Sequence, residues 1–353
     1  MHDNPGLVPA PACFSVSPTP LAIRLRNFVG DVVLSVPTLQ RLADAGFALH
    51  LVGKGWARPL LEGFGWPVQT LAPDLPGRIR QWRTLRRDLL QGGARLPPRG
   101  PDAIVFPYSF GSALEMRLGG WRPLGITAEA RSWLLAREMA RPPDTHTLAE
   151  YWQLGEAFLG SQAALPASIA WRIAPAARER ARARLQACGL EPGFLLACPF
   201  AGGTYDRADK RWPAFDAFAQ RARAELGRAI VLCPGPGEEA AVARRDYPGC
   251  HTLEGVDFGE YAALIEAASL VVSNDTGPGH LAAAVGTPLL SVLGPTIPGH
   301  WGAWGPQVHI ERGWPEWPAP DTVLARARTL LTATSAPPWP PAGFPPSASR
   351  ARP

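Results

Sequence analysis

The strongest constraint on how this chain folds is a unit that recurs along it: a short apolar run, a turn of small and polar residues, then a helix-forming segment. In the first half the apolar runs are residues 21–25, 47–52 and 103–106; in the second they are 194–198, 229–233, 270–272 and 288–293. Runs of this kind, bounded by turn residues and lacking polar alternation, suit strands buried on both faces. Alternating with helices, they form parallel sheets joined by right-handed crossovers. The expected fold class is α/β. Helices are expected at 32–45, 57–64, 79–90, 113–118, 129–140 and 148–159, and after the midpoint at 176–188, 213–226, 258–268 and 321–332.

A chain of 353 residues exceeds the usual size of a single core. The repeating unit breaks at 160–175 into a Ser-, Ala- and Pro-containing segment, which reads as a linker. The expected organisation is a loose leader at 1–20, a first domain at 21–165, a second at 166–334, and a Pro-rich disordered tail at 335–353. No apolar run reaches the ~18 residues that cross a bilayer, and the N-terminus lacks the basic and apolar regions of a secretory signal. A soluble, unexported protein is expected. Five scattered cysteines, without metal spacing, argue against structural disulfides or zinc and fit a reducing compartment.

The net charge of +5 comes from arginine, because Lys54 and Lys210 are the only lysines. A basic balance favours phosphate-rich partners. Aromatic and basic residues are not interleaved in any nucleic-acid-binding pattern, so nucleic acid is excluded as the expected partner. Residues 79–90 place Arg80, Arg83, Arg86 and Arg87 on one helix; such a face is ordinarily solvated, but it also suits an anionic membrane surface.

Chemistry concentrates in residues 273–298, SNDTGPGHLAAAVGTPLLSVLGPTIP. Two strand ends deliver hydroxyls, the Asp275 carboxylate, the His280 imidazole and free N–H groups to one sheet edge, where α/β proteins bind ligands. The following helix start attracts an anion, since its first N–H groups lack partners and the helix dipole is positive there. The bland alternative is a βα turn capped by Asp275 and Thr276. Three other polar strand ends stand out. Asp31 opens a helix after the first strand, as an N-cap or a site residue. Lys210 lies in a long polar loop and offers a mobile point charge for phosphate. Glu239 follows Pro234-Gly235-Pro236-Gly237 and could accept from ribose hydroxyls or offset a helix dipole. The fingerprints of Rossmann dehydrogenases, P-loop enzymes, α/β-hydrolases and zinc proteases are missing.

Several stretches together resemble glycosyltransferase family 9, the ADP-heptose:lipopolysaccharide heptosyltransferases, and most closely its heptosyltransferase II branch. They are NFVGDVVLSVPTLQRL (27–42), WARPLL (56–61), SFGSAL (109–114) with Leu124-Gly125, KRWP (210–213), and 274–288 with Gly294-Pro295-Thr296. The resemblance implies a GT-B architecture, two Rossmann-like domains facing across a cleft, with acceptor on the first and nucleotide sugar on the second. It implies inverting, metal-independent transfer of heptose from ADP-L-glycero-β-D-manno-heptose to an inner-core heptose of lipopolysaccharide, with no cofactor. Carried over residue by residue, Asp31 matches the general base and Lys210 the diphosphate-holding lysine. Thr276, Gly277 and His280 match groups around the phosphates, Asp275 an orienting carboxylate, and Glu239 a ribose contact. Where the family has Pro-Gly-Ala, this chain has Pro199-Phe200-Ala201, which leaves Thr204, Tyr205 and Asp206 all open as phosphate contacts. Arg58, Ser109 and Ser112 are acceptor candidates. A GT-B enzyme with another nucleotide sugar or acceptor, such as a protein or capsule glycan, and a non-catalytic nucleotide- or glycan-binding module remain as alternatives.

Overall fold

A computed structural model describes residues 18–333 except 203, 241, 243–246 and 248. The expected leader therefore falls almost wholly, and the Pro-rich tail wholly, outside the described residues. Strands β1 (Thr19–Arg24), β2 (Phe47–Gly53), β3 (Val68–Thr70), β4 (Ala103–Val105), β5 (Pro123–Ile126) and β6 (Arg137–Met139) form one sheet of order β3-β2-β1-β4-β5-β6. A second sheet has the order β11-β10-β7-β12-β13-β14. Its strands are β7 (Leu195–Cys198), β10 (Ile230–Leu232), β11 (His251–Thr252), β12 (Leu270–Ser273), β13 (Leu289–Leu293) and β14 (Val308–Arg312). Between β7 and β10 lies a small antiparallel hairpin, β8 (Thr204–Tyr205) and β9 (Ala208–Asp209). All pairings within the two large sheets are parallel.

Each sheet reverses direction once. Chain order runs outward from β1 to β3 on one side and from β4 to β6 on the other, and likewise from β7 to β11 and from β12 to β14. The crevice at such a reversal, beyond the carboxyl ends of the strands, is where open α/β sheets hold ligands. It falls between β1 and β4 in the first sheet and between β7 and β12 in the second.

The helices are α1 (Val29–Asp44), α2 (Ala57–Leu60), α3 (Leu75–Gln91), α4 (Phe110–Leu118), α5 (Thr147–Leu159), α6 (Pro175–Ala187), α7 (Phe215–Leu226), α8 (Phe258–Ala267), α9 (Gly277–Val285), α10 (Pro298–Trp301) and α11 (Pro320–Ala333). One buried apolar cluster runs through both halves, from Leu21, Val33 and Leu39 to Leu264 and Leu281. The other face of the first sheet is closed by a cluster containing Trp82, Met116 and Trp121, and that of the second by Trp212, Phe215, Phe218 and Leu324.

The halves meet closely. A Cβ on Gly30 would lie 2.6 Å from the His280 ring, and one on Gly277 would lie 2.7 Å from Val29 Cβ. The first turns of α1 and α9 are thus pressed together, with glycine on both sides of the contact. Nearby, Arg180 pairs with Glu62 at 2.8 Å, and the Trp56 and Phe258 rings meet edge to face at 5.9 Å.

Two expectations are corrected. The helix placed at 129–140 is absent: a 3-10 turn at Ser132–Leu134 and strand β6 occupy it. Its arginine, Arg131, is fully buried and donates to the carbonyls of Ile126 and Pro107, folding the segment back onto β5. Glu129 and Ala130 adopt left-handed φ of 47° and 54°, which a helix excludes. The helix at 57–64 divides into α2 and a 3-10 turn at Glu62–Phe64. The short strands β3, β5, β11 and β14 had no strong apolar run to announce them.

The close contact yields a paired expectation. Gly277→Ala should lower stability by about 1–3 kcal/mol through overpacking. Gly111→Ala, in α4, adds a methyl group that would meet nothing within 4 Å, and should leave stability equal or raise it by up to about 1 kcal/mol. Thermal denaturation of the two variants checks the pair.

Candidate active site between the two sheets

A cavity of about 870 Å³ opens between the carboxyl ends of the two sheets. Arg26, Phe28, Gly30, Asp31 and Trp56 line it from the first half; Thr204, Tyr205, Lys210, Asp275, Thr276 and His280 are among those lining it from the second.

Asp31 reaches it because β1 ends at Arg24 and α1 begins at Val29, so the carboxylate sits in the first turn of α1. It is not the N-cap: Phe28 holds that position, with no side-chain cap bond. Asp31 is 8% exposed. Tyr151, from α5, donates its hydroxyl to Asp31 Oδ1 at 2.9 Å, and Arg26 Nε lies 3.2 Å from Oδ2. Burial alone would lower the pKa of the Arg26 guanidinium, but Tyr151, Asp31 and Tyr108 together raise it, so Arg26 stays charged. Burial, then the Asp31 charge, holds Tyr151 well above the ordinary tyrosine range. Tyr151 is therefore a hydrogen-bond donor that orients the carboxylate, not a proton acceptor.

The opposite wall is built around Asn274, which is 1% exposed. Its Nδ2 donates to Pro199 O at 2.6 Å and its Oδ1 accepts from Trp212 N at 3.1 Å. One side chain thus ties the end of β12 to both ends of the loop carrying Lys210. Lys210 Nζ meets Asp275 Oδ2 at 3.1 Å, and Thr296 donates its hydroxyl to the same oxygen at 2.8 Å. His280 Nε2 stands 3.8 Å from Asp275 Oδ1. Burial works to raise the Asp275 pKa, yet the His280, Lys210 and Thr296 contacts outweigh it and hold the group at about 2. Thr276 is the N-cap of α9 but makes no side-chain cap bond, and Asp275 is occupied elsewhere. The capped-turn reading of this loop therefore does not hold, and the first N–H groups of α9 have no capping side chain.

The β8–β9 hairpin brings Thr204 and Tyr205 to the cavity, whereas Asp206 sits in its turn with φ of 47° and is not among the lining residues. Glu239 is exposed, accepts from Gly237 N at 2.8 Å and does not line the cavity; its neighbour Glu238 does, accepting from Gly235 N at 2.8 Å. Arg58 and Ser109 are exposed and outside the cavity. Ser112 is 4% exposed and donates to Ser109 O at 2.7 Å, a bond within the first turn of α4. Cys198 lines the cavity, but burial pushes its thiol up to about 12, which removes it as a nucleophile. Among the described residues no group of three or more His, Cys, Asp or Glu could hold a metal ion.

The family model of glycosyltransferase family 9 (heptosyltransferase) matches residues 102–328. The chain belongs to this family. It is 27% identical over 312 residues to lipopolysaccharide heptosyltransferase 1 of Pseudomonas aeruginosa strain PAO1, covering 81% of this chain and 82% of that protein. A lipopolysaccharide heptosyltransferase 3 of Escherichia coli is 34% identical over 137 residues, a match spanning 37% of this chain and only 39% of that relative. Among solved structures, E. coli ADP-heptose lps heptosyltransferase II superposes with a TM-score of 0.71 at 21% identity, over 89% of this chain and 99% of that one. The fold is GT-B, as the resemblance implied.

Arg26, Tyr151 and Glu238 were not singled out from the sequence. Arg26 and Glu238 adjoin residues that were. Tyr151 lies 120 positions from Asp31, and nothing in its local pattern separates it from a core aromatic.

Because Asp275 is charged down to about pH 2 in the fold but titrates near 3.8 when unfolded, its contribution to stability is complete above about pH 4 and lost as pH falls toward 2. That contribution is roughly 2 kcal/mol. Acid unfolding followed by circular dichroism should show a flatter stability profile between pH 4 and 2 in Asp275→Asn than in the parent.

Proposed function

We propose that this protein transfers heptose from ADP-L-glycero-β-D-manno-heptose to an inner-core heptose of lipopolysaccharide, with inversion and without a metal ion. The observation that carries the reading is a single cavity with a buried, oriented carboxylate on one wall and a lysine beside an uncapped helix N-terminus on the other. Membership of glycosyltransferase family 9 supports a heptosyl donor and a lipopolysaccharide acceptor.

In this reading the diphosphate lies against Lys210 and the first N–H groups of α9, with Thr276 and Thr204 offering hydroxyls. Lys210 turns from Asp275 toward the phosphates, a short movement for a flexible ammonium. Cys233, Pro236, Val256 and Phe258, which also line the cavity, give the adenine an apolar wall. The acceptor hydroxyl approaches Asp31. As its oxygen bonds to the anomeric carbon, the bond from that carbon to the diphosphate breaks and Asp31 takes the proton. A carboxylate suffices because the hydroxyl becomes acidic only as the new bond forms. A single in-line displacement inverts the anomeric centre. The charge gathering on departing ADP is met by Lys210 and the α9 amides, fixed before reaction.

Arg80, Arg83 and Arg87 are exposed along α3, beside Leu90 and Leu118, each 47% exposed. We read this face as a peripheral contact with the cytoplasmic, anionic surface of the inner membrane, where the acceptor is anchored. Among the described residues no helix is long and apolar enough to cross a membrane.

Incubation with ADP-heptose and a heptose-bearing core acceptor should release ADP. Asp31→Asn should reduce turnover by at least about 10²-fold, the range of a lost general base, while ADP still raises the melting temperature. Tyr151→Phe should keep measurable activity at a lower kcat. Stabilisation by UDP-sugars but not by ADP would favour a transferase of different donor. For the membrane face, Arg80→Glu with Arg87→Glu should reduce co-sedimentation with phosphatidylglycerol vesicles at low salt, and added salt should do the same to the parent.

A further inference from the structure

The Arg26 guanidinium is only partly used by the fold. Its Nε lies 3.2 Å from Asp31 Oδ2, and the group sits over the Tyr108 ring, 4.2 Å from the centroid. Among the described residues no acceptor meets its Nη groups, although the side chain is only 15% exposed. These terminal donors belong to a residue that lines the main cavity beside Asp31. Burial works against the charge, but Tyr151, Asp31 and Tyr108 outweigh it, so Arg26 is a fixed cation. A counter-ion for Asp31 needs one edge of the planar guanidinium, and the edge left over calls for water or an anion.

The surroundings favour an anion. Arg141 also lies over the Tyr108 ring, at 5.2 Å, and Arg131 is close enough to feel the Arg26 charge. Arg141 is matched: buried Glu150, which also accepts from the Tyr108 hydroxyl, pairs with it at 2.9 Å. That pair lines a second cavity, of about 350 Å³, which shares Trp301 with the main one. Arg131 donates only to carbonyls and to Ser112 Oγ, and among the described residues it has no carboxylate within ion-pair distance; Glu129 acts on it from farther away. Three guanidinium groups thus gather against two contacting carboxylates, Asp31 and Glu150. The donor diphosphate has its own cation, Lys210, on the opposite wall. We propose that the free edge of Arg26 binds an anionic group of the acceptor, a phosphate or carboxylate, next to the hydroxyl that receives the heptose, and so selects anionic acceptors. The inference rests on the proposed transfer reaction for the identity of the ligand as acceptor. With one edge on Asp31 and the other on the ligand, the guanidinium bridges base and acceptor and brings a hydroxyl neighbouring the anion to Asp31. Arginine can hold two oxyanions in one plane in this way, whereas the point charge of lysine cannot.

The test compares three synthetic acceptors on the full chain: a neutral heptoside, the same heptoside with a phosphate monoester on the carbon next to the accepting hydroxyl, and one with a carboxylate there. In the parent, at least one anionic acceptor should have a KM about 10- to 100-fold below that of the neutral one, the range of a charged hydrogen-bonded pair. Arg26→Gln should bring that ratio to within about twofold of one, and Arg26→Lys, which keeps the charge without the fork, should retain about three- to tenfold. Each variant is its own reference, so a general loss of turnover from a less firmly held Asp31 cancels in the ratio. Equal KM values in the parent, or the parent's preference persisting in Arg26→Gln, would overturn the assignment. So would a calorimetric Kd for ADP that rises about tenfold in Arg26→Gln while the acceptor ratio stays put, since the free edge would then serve the donor. Calorimetric Kd values for the three acceptors without donor need no turnover: the same ordering in the parent, and its loss in Arg26→Gln, sustain the anion site. If that ordering holds and no ADP is released, the transfer reaction falls and the anion site stands.

Discussion

The contact between the first turns of α1 and α9 governs this molecule. Two helix N-termini meet there, each with a partial positive charge and each without a side-chain cap. Glycines at 30 and 277 let the turns approach, and acidic residues at 31 and 275 sit beside them. Asp31 is held by Arg26 and Tyr151, Asp275 by Lys210 and Thr296. Each carboxylate is thereby pinned by its own half, while the space between stays open. Displacing either helix would separate the Asp31 carboxylate from the wall that carries Lys210, so the packing that joins the halves is also what defines the cavity.

The two carboxylates illustrate how environment divides similar groups. Asp275 is surrounded by cationic and hydroxyl partners that hold it at about 2, making it a permanent counter-charge that parks Lys210. Asp31 has one cationic neighbour, one tyrosyl donor and the cavity in front of it. In the proposed reaction the first orients and the second accepts the proton. Buried polar side chains outside the cavity serve the same ends from a distance. Asn274 ties three backbone segments together, and Arg131 folds the 126–139 region onto the first sheet, each satisfying several backbone groups at once.

The same packing joins two cavities of unlike chemistry through Trp301 and the Arg26–Tyr108–Glu150–Arg141 ladder. The larger has Lys210 and an uncapped helix N-terminus on one wall; the smaller has the Arg141–Glu150 ion pair and the exposed Asp144.

By itself, the sequence determined the parallel α/β class, the strands central to each sheet, and the polar turns that carry Asp31, Lys210, Asp275, Thr276 and His280. These follow from local physics: buried strands are continuously apolar, and small residues mark the turns that end them. Edge strands such as β3 and β11 left no such trace, being short and only partly covered. The helix expected at 129–140 failed because the buried Arg131 donates to the carbonyls of Ile126, at the end of β5, and of Pro107, after β4, and so folds the segment onto the sheet. Tertiary structure alone decided that Glu238, not Glu239, faces the cavity, that Ser112 turns back onto the start of α4, and that Tyr151 orients Asp31. Each depends on a side-chain direction or a contact across more than a hundred residues, and chain-local pattern carries no information about either.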